Sequence, residues 1–326
     1  MKALVYTGPE RLEFRDAPEP NPRAGDQLVR IDAVGICGSD MHAFLGHDSR
    51  RPAPLILGHE AAGTVVGGAW DGRPVTVNPL VTCGQCQACR ADRQNLCPDR
   101  QIISMPPREG AFAQWLTMPE ANLVTVPDGV PLEKAALAEP LAVCWHAAKL
   151  ALAALHPSME SEALVIGGGA IGLASALCLR AQGCENVTLV EPNPLRRTYL
   201  QDQCGETVVE SWDGETPLVI DAVGYEVTRA LASRVALPGG VIAHVGLGQA
   251  TGGLDIRRMT LQEITFIGTY CYTPQDFQET CAAIFDGRLG ALDWTEDRPL
   301  SDGQGAFDEI RAGSLAPPKV ILKPWP

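Results

Sequence analysis

The sequence has no surplus of positive charge. Its 26 basic residues stand against 39 acidic ones, a formal net charge of −13. That excludes nucleic acid as the expected partner, because a phosphate backbone needs a basic face. It argues equally against docking on an anionic membrane surface. Long apolar runs are missing too: the nearest approach, residues 135–155, is interrupted by Glu139, His146 and Lys149, so no membrane span is expected. MKALVY runs straight into charged residues, so no apolar leader is expected and a cytoplasmic location is the expectation. In that compartment the eleven cysteines are thiols or metal ligands rather than disulfides. No internal repeat is visible.

What remains is an ordinary globular composition, 45% hydrophobic and 20% charged over 326 residues, with ample apolar surface to bury. The chain is longer than a single core usually grows, so two domains are expected. The first third reads as short strands: LVYTG, RLEFRDA and QLVRIDAVGI carry β-branched, alternating residues cut by Pro and Gly. From Glu133 the texture changes. EKAALAEPLAVCWHAAKLALAAL is rich in helix formers. ALVIGGG reads as a buried strand and AIGLASALCLRAQG as a helix ending at a glycine. VTLVEPN, LVIDAVG, GGVIAHVGLG and ITFIGTY follow as strands, with a helix in TPQDFQETCAAIFDGR. Strands alternating with helices imply a parallel sheet with crossover connections. The expected fold class is therefore α/β. Residues 1–138 and 294–326 form a β-rich domain, and residues 139–293 form a doubly wound parallel-sheet domain.

Three sets of residues carry chemistry. The first is Cys83, Cys86, Cys89 and Cys97 in VTCGQCQACRADRQNLCPD. Four thiolates this close can surround one zinc tetrahedrally, leaving no open position, so this zinc is structural. The second is Gly167, Gly168, Gly169, Ala170, Ile171 and Gly172, which fits G-x-G-x-x-G between a strand and a helix. The glycines let the backbone approach a pyrophosphate at a helix N-terminus. Glu191 ends the next strand, where a carboxylate binds ribose hydroxyls and repels a 2′-phosphate, which favours NAD over NADP. Arg196 is a candidate for covering the adenine. The third set is dispersed: Cys37 in GICGSDMH, His59 and Glu60 in LGHEAAG, and Glu139 in ALAEPLAV. Together they supply S, N and O donors of the kind a catalytic zinc takes while keeping one position open.

In combination and in this order, these motifs resemble the zinc-dependent medium-chain dehydrogenases, the alcohol and polyol dehydrogenase superfamily. The resemblance covers nearly the whole chain, and EPLAVCWHA looks like the sorbitol, threonine and galactitol-phosphate dehydrogenase branch. It implies a GroES-like catalytic domain, a Rossmann domain and a cleft between them. It implies two zinc ions per chain, one structural and one catalytic, with the catalytic ion seen by Cys37, His59 and Glu139 or Glu60. Asp40 looks like the carboxylate that orients His59, and Ser39 and His42 match the family's proton relay. Ala222, Val223, Val245, Gly246 and Leu247 resemble the segments flanking the dinucleotide and nicotinamide. Thr269 and Tyr270 resemble the wall shared by cofactor and substrate. The implied reaction is transfer of hydride from a secondary alcohol, of a polyol or sugar derivative, to NAD+, giving a ketone. Oxidation of L-threonine, a zinc-free enone or quinone reductase, and a non-catalytic dinucleotide-binding protein stand as alternatives. The resemblance also implies a homodimer or homotetramer.

Two features depart from the pattern or extend it. Between Tyr199 and Leu218 the chain is barely long enough for a strand and a loop, so the third βα unit is expected to lack its helix. The loop 43–55 lies between two expected zinc ligands, so Arg50 and Arg51 are candidates for binding a phosphate or carboxylate, and Trp115 is a candidate for facing the cleft.

Overall fold

The computed structural model describes residues 1–326. Its two halves are built on different sheets. In the first, the strands run in the order Leu123–Thr125, Pro74–Val77, Glu60–Val66, Asp26–Gly35, Lys319–Lys323 and Thr295–Pro299, with Trp115–Pro119 also paired to Asp26–Gly35. The alternation in Asp26–Gly35 sets its register: Val29, Ile31 and Ala33 are buried while Arg30 and Asp32 point outward. The chain's last strand lies beside this one, antiparallel, with Ile321 opposite Gly35. A small sheet of Arg11–Asp16, Lys2–Gly8 and Leu55–Ile56 completes the β-rich half.

The second half holds an all-parallel sheet in the order Val208–Val209, Asn186–Val190, Glu162–Ile166, Thr216–Asp221, Ala236–His244 and Thr265–Gly268. Numbered within this sheet the order is 3-2-1-4-5-6, so it reverses between Glu162–Ile166 and Thr216–Asp221. A ligand cleft in such sheets opens at the carboxyl ends of those two strands, where the chain continues into Gly167 and Ala222. Between Val209 and Thr216 no helix intervenes. The helix Ala138–Ala154 lies between the halves, packed on helices Ala170–Ala181 and Pro274–Phe285 and touching strands of both sheets. Its Ala and Leu content favours helix, and Pro140 sits in the first turn, where a missing N–H costs nothing. This helix begins where the two sheets meet and so delivers Glu139, 7% exposed, to the junction. No helix is long and apolar enough to cross a membrane.

Asp276 ties that helix down. Its carboxylate takes bonds from Lys149 Nζ at 2.9 Å and from Thr273 Oγ1 at 2.7 Å, and it stands 2.7 Å from His146 Nδ1. Burial pushes Asp276 up, but His146, Thr273 and Lys149 outweigh it and hold the carboxyl well below its usual range. A depressed folded pKa contributes stability that is present above the unfolded value and lost as pH falls through the folded one. Asp276→Asn should therefore cost about 2 kcal/mol at pH 7 and progressively less only as pH falls from about 4 down through the folded value, read from urea unfolding at about pH 7 and about pH 2. An equal cost at both would show that the carboxylate charge is not what binds the helices.

Candidate active site

The cysteine lobe is compact. Cys86 starts the short helix Gln87–Arg90, its sulfur accepting the Cys89 N–H, and a 3-10 turn at Gln94–Leu96 brings Cys97 back. The four sulfurs all lie within 4.8 Å of one another, with Cys83 3.9 Å from Cys89 and 3.5 Å from Cys97. Tetrahedral Zn–S bonds of about 2.3 Å require sulfurs roughly 3.8 Å apart, so the cage fits zinc. The backbone N–H groups of Gln85 and Cys86 hold the Cys83 thiol down at about 7.

A second constellation forms where the halves meet. Cys37 closes the turn from strand Asp26–Gly35 into helix Gly38–Phe44, and its backbone N–H donates to Asp40 Oδ2 at 3.1 Å. Asp40 is fully buried. Its other oxygen accepts the Gly58 N–H at 3.1 Å and lies 3.4 Å from His59 Nδ1. Burial pushes the Asp40 carboxyl up, but His59, Arg51 and the Cys37 N–H together hold it below its usual range. With Nδ1 facing Asp40 and the Ser104 hydroxyl, the His59 ring turns Nε2 toward Ser39 Oγ, 3.4 Å away. Glu139 accepts the Tyr272 hydroxyl on Oε1 at 3.1 Å. Burial raises its carboxyl to about 7. Cys37, His59 and Glu139 line one cavity of about 350 Å³, together with Ser39 and His42. They are drawn together less tightly than the lobe cysteines, the only His, Cys, Asp and Glu cluster whose ligand atoms all approach within 4.8 Å. The donor set nonetheless suits zinc: a thiol, an imidazole held through its far nitrogen, and a carboxyl with Oε2 unbonded.

Glu60 is placed differently. Both its oxygens lie 2.7 Å from Lys319 Nζ, and it lines the adjoining cleft rather than this cavity. Sequence reasoning missed Lys319 altogether. It also missed Tyr272, whose only signal was a tyrosine next to the expected wall. Arg51 also lines this cavity, but it is turned inward. It is 3% exposed, and its guanidinium is committed to the carbonyls of Ser39 and Ser104 and to Asp48. Trp115 does not face the cleft either. It stands against Trp325 with ring centroids 5.6 Å apart, on a separate pocket of the β-rich half. Cys144 is buried core, its thiol pushed up to about 12 by burial.

The adjoining cleft, about 920 Å³, runs along the glycine loop and over Glu191, Arg196, Ala222 and Val223. A Cβ at Gly172 would run into the carbonyl oxygen of Gly167, so this glycine lets the helix start against the strand. No side chain caps the helix Ala170–Ala181, which leaves its first N–H groups and positive dipole end open to an anion. Glu191 accepts the N–H of Gly168 at 2.9 Å and of Asn193 at 2.8 Å. Arg196 donates to Leu315 O at 3.3 Å, and its buried Nε has no partner. The shortened segment adds Glu210, Ser211 and Trp212 to this wall, with the buried Trp212 Nε1 also unpartnered. Val245, Gly246, Leu247, Thr269 and Tyr270 belong to the 350 Å³ cavity instead. Cys37, Ile171, Ala222 and Val223 line both, so the two spaces adjoin across these residues.

Tyr270 is latched to the cysteine lobe across the domain boundary. Asn95 Nδ2 donates to its carbonyl at 2.8 Å, and Arg100 Nε donates to its hydroxyl at 3.2 Å, with the guanidinium 4.8 Å from the ring centroid. Arg100 also donates to Cys97 O at 2.8 Å.

A family model described as "Alcohol dehydrogenase GroES-like domain" matches residues 23–128, and one described as "Zinc-binding dehydrogenase" matches residues 170–286. An L-galactonate-5-dehydrogenase of Escherichia coli (strain K12) is 31% identical over 310 residues, covering 89% of each chain. A sorbitol dehydrogenase of Bacillus subtilis (strain 168) is 32% identical over 312 residues, covering 88% of this chain and 87% of its own. Among solved structures, an acetophenone reductase from Geotrichum candidum in complex with NAD superposes with a TM-score of 0.87 at 26% identity, covering 99% of this chain and 96% of its own.

Proposed function

The chain belongs to the zinc-binding alcohol and polyol dehydrogenase family, and on that premise we propose that it oxidises a secondary alcohol of a polyol or sugar derivative with NAD+, using Cys37, His59 and Glu139 as ligands of a catalytic zinc. The observation that carries this reading is that those three side chains line one cavity with Ala222, Val245 and Thr269, which adjoins the cleft over the glycine loop. When bound, zinc supplies Lewis acidity that eases loss of the alcohol proton, and NAD supplies the hydride acceptor. Asp40 fixes the His59 ring through Nδ1, and Tyr272 fixes Glu139 through Oε1. The Ser39 hydroxyl takes up the departing proton and His42 passes it to solvent. The open end of helix Ala170–Ala181 holds the pyrophosphate, and the Glu191 carboxylate disfavours a 2′-phosphate, so NAD is the cofactor rather than NADP. The lobe cysteines hold a second, structural zinc. Glu60 serves as an alternate ligand only when Lys319 releases it.

Relatives named for L-galactonate and sorbitol support the substrate class. The open edge strand Thr265–Gly268, with exposed Leu247, Ile256 and Leu261 in the same half, supports pairing with a second copy. The test is NADH absorbance of the zinc-loaded protein with polyols, sugar acids, sugar phosphates, L-threonine and simple alcohols, each with NAD and with NADP. Turnover confined to simple alcohols, or preference for NADP, would overturn the reading.

The lobe latch has a kinetic consequence. Arg100→Gln removes a charged hydrogen bond and a cation–π contact, together about 2 kcal/mol. It should raise KM several-fold with kcat little changed and zinc content intact. A loss of zinc instead would mean that Arg100 serves the lobe and not the Tyr270 wall.

A further inference from the structure

The rim of the 350 Å³ cavity carries an unbalanced positive charge. Arg50 lines that cavity with its side chain 62% exposed. Asp48 grips it side-on: Oδ1 accepts Nε at 2.8 Å and Oδ2 accepts Nη2 at 2.9 Å, leaving Nη1 without a partner. The same Asp48 Oδ2 also accepts Arg51 Nη1 at 3.1 Å. One carboxylate thus serves two guanidiniums. Burial pushes the Asp48 carboxyl up, but its bonds from Arg50 and the charge of both arginines keep it ionised. Arg51 spends its remaining donors on buried carbonyls. The surplus charge therefore resides on Arg50, which Asp48 holds through Nε and Nη2 and which lines the cavity with Nη1 unpartnered. Tyr270, Thr269 and Leu247 line the same cavity, and none of them is acidic. Glu139 is the cavity's only carboxylate among its lining residues, and it sits with Cys37 and His59 at the metal end.

We infer that Arg50 is a specificity-determining residue that binds a terminal anion on the substrate, so that the alcohol oxidised is that of a polyhydroxy acid rather than a neutral polyol. This deepens the dehydrogenase reading and rests on it. A single free guanidinium edge matches the single charge of a carboxylate in a two-pronged contact. A phosphate ester offers the same chemistry from a second source. Metal at one end and cation at the other fix the ends of the chain and so select which hydroxyl is presented for oxidation.

The experiment measures turnover and calorimetric binding with NAD present for the zinc-loaded protein and for Arg50→Gln. The probes are D-gluconate, L-galactonate, galactitol 1-phosphate, sorbitol and galactitol. Losing a hydrogen-bonded charge pair is expected to raise KM and Kd for the sugar acids roughly 10- to 100-fold, with hexitols shifted far less and kcat nearly kept. A preference for the phosphate ester, lost in the variant, would support the anion site and reassign its source. Hexitols turned over as well as the acids, or both weakened alike by Arg50→Gln, would overturn the role of Arg50. Binding of the acids that Arg50→Gln abolishes, without oxidation of any probe, would support Arg50 and sink the oxidation reading instead. Arg50→Lys keeps the charge without the two-pronged geometry and should restore part of the binding.

Discussion

Cys37→Ser is expected to lower kcat/KM roughly a thousandfold or more, while the dissociation constant for NAD changes by less than about threefold. The thiolate is the softest donor in the cavity, and a serine hydroxyl at neutral pH is a poor substitute for it. The sulfur faces the Asp40 backbone N–H and the His59 ring, and a serine hydroxyl can take the same cap at the helix start. The Asp40 carboxylate accepts the Cys37 backbone N–H, and the His59 ring is held from its far side by Asp40. The helix that begins at Cys37 thus keeps its start, and the glycine loop lies in a separate segment of the chain. Two measurements made together decide the matter. Zinc per chain should fall from two to one, since the lobe is untouched, and NADH formation should cease while quenching by NAD persists. Retained turnover, or two zinc ions still bound, would remove Cys37 from the metal centre.

The parts of this site that the sequence displays are those whose partners are close in the chain. Cys83 to Cys97 spans one loop, and spacing alone brings the sulfurs together. The glycine loop and its helix are likewise one local unit, and Glu191 follows on the next strand. Long-range partners left no such trace. Lys319 meets Glu60 across a separation of 259 residues, and nothing around a lysine in a Pro-rich tail announces a buried ion pair. Arg50 and Arg51 look alike in sequence. They part because the chain turns one guanidinium inward to the carbonyls of Ser39 and Ser104 and leaves the other at the rim. Trp115 reads as a cleft residue until its strand is seen to pair with Asp26–Gly35, which places it beside Trp325. The missing helix in the third βα unit was legible by length alone. That Trp212 would take its place on the cleft wall was not, because only the fold brings that loop over Glu191 and Arg196.

Lys319→Met should destabilise the protein by about 3–5 kcal/mol, the usual cost of stripping one partner from a buried ion pair. Lys319 is 4% exposed and Glu60 is wholly buried. The ammonium gives its three donors to both Glu60 oxygens and to Ile36 O at 2.8 Å, so no water replaces what is lost. Burial pulls the Lys319 ammonium down, but the charges of Glu60 and Cys37 and the Glu60 hydrogen bonds outweigh it and push it above its ordinary value. The surrounding backbone is shaped for this pair: a Cβ at Gly35 would collide with the Glu60 carboxylate, so only glycine fits opposite it. With the lysine gone, Glu60 is left as an uncompensated carboxylate inside the sheet. Removing that charge as well, in Lys319→Met with Glu60→Gln, should recover much of the loss, because a neutral amide is far cheaper to bury than an unpaired carboxylate. Urea unfolding of the metal-free chain reads the cycle directly. A single variant within about 1 kcal/mol of the parent would mean that the carboxylate finds another partner. Repeating the measurement with zinc bound identifies that partner: if Glu60 then turns to the metal, zinc should restore more stability to Lys319→Met than it adds to the parent.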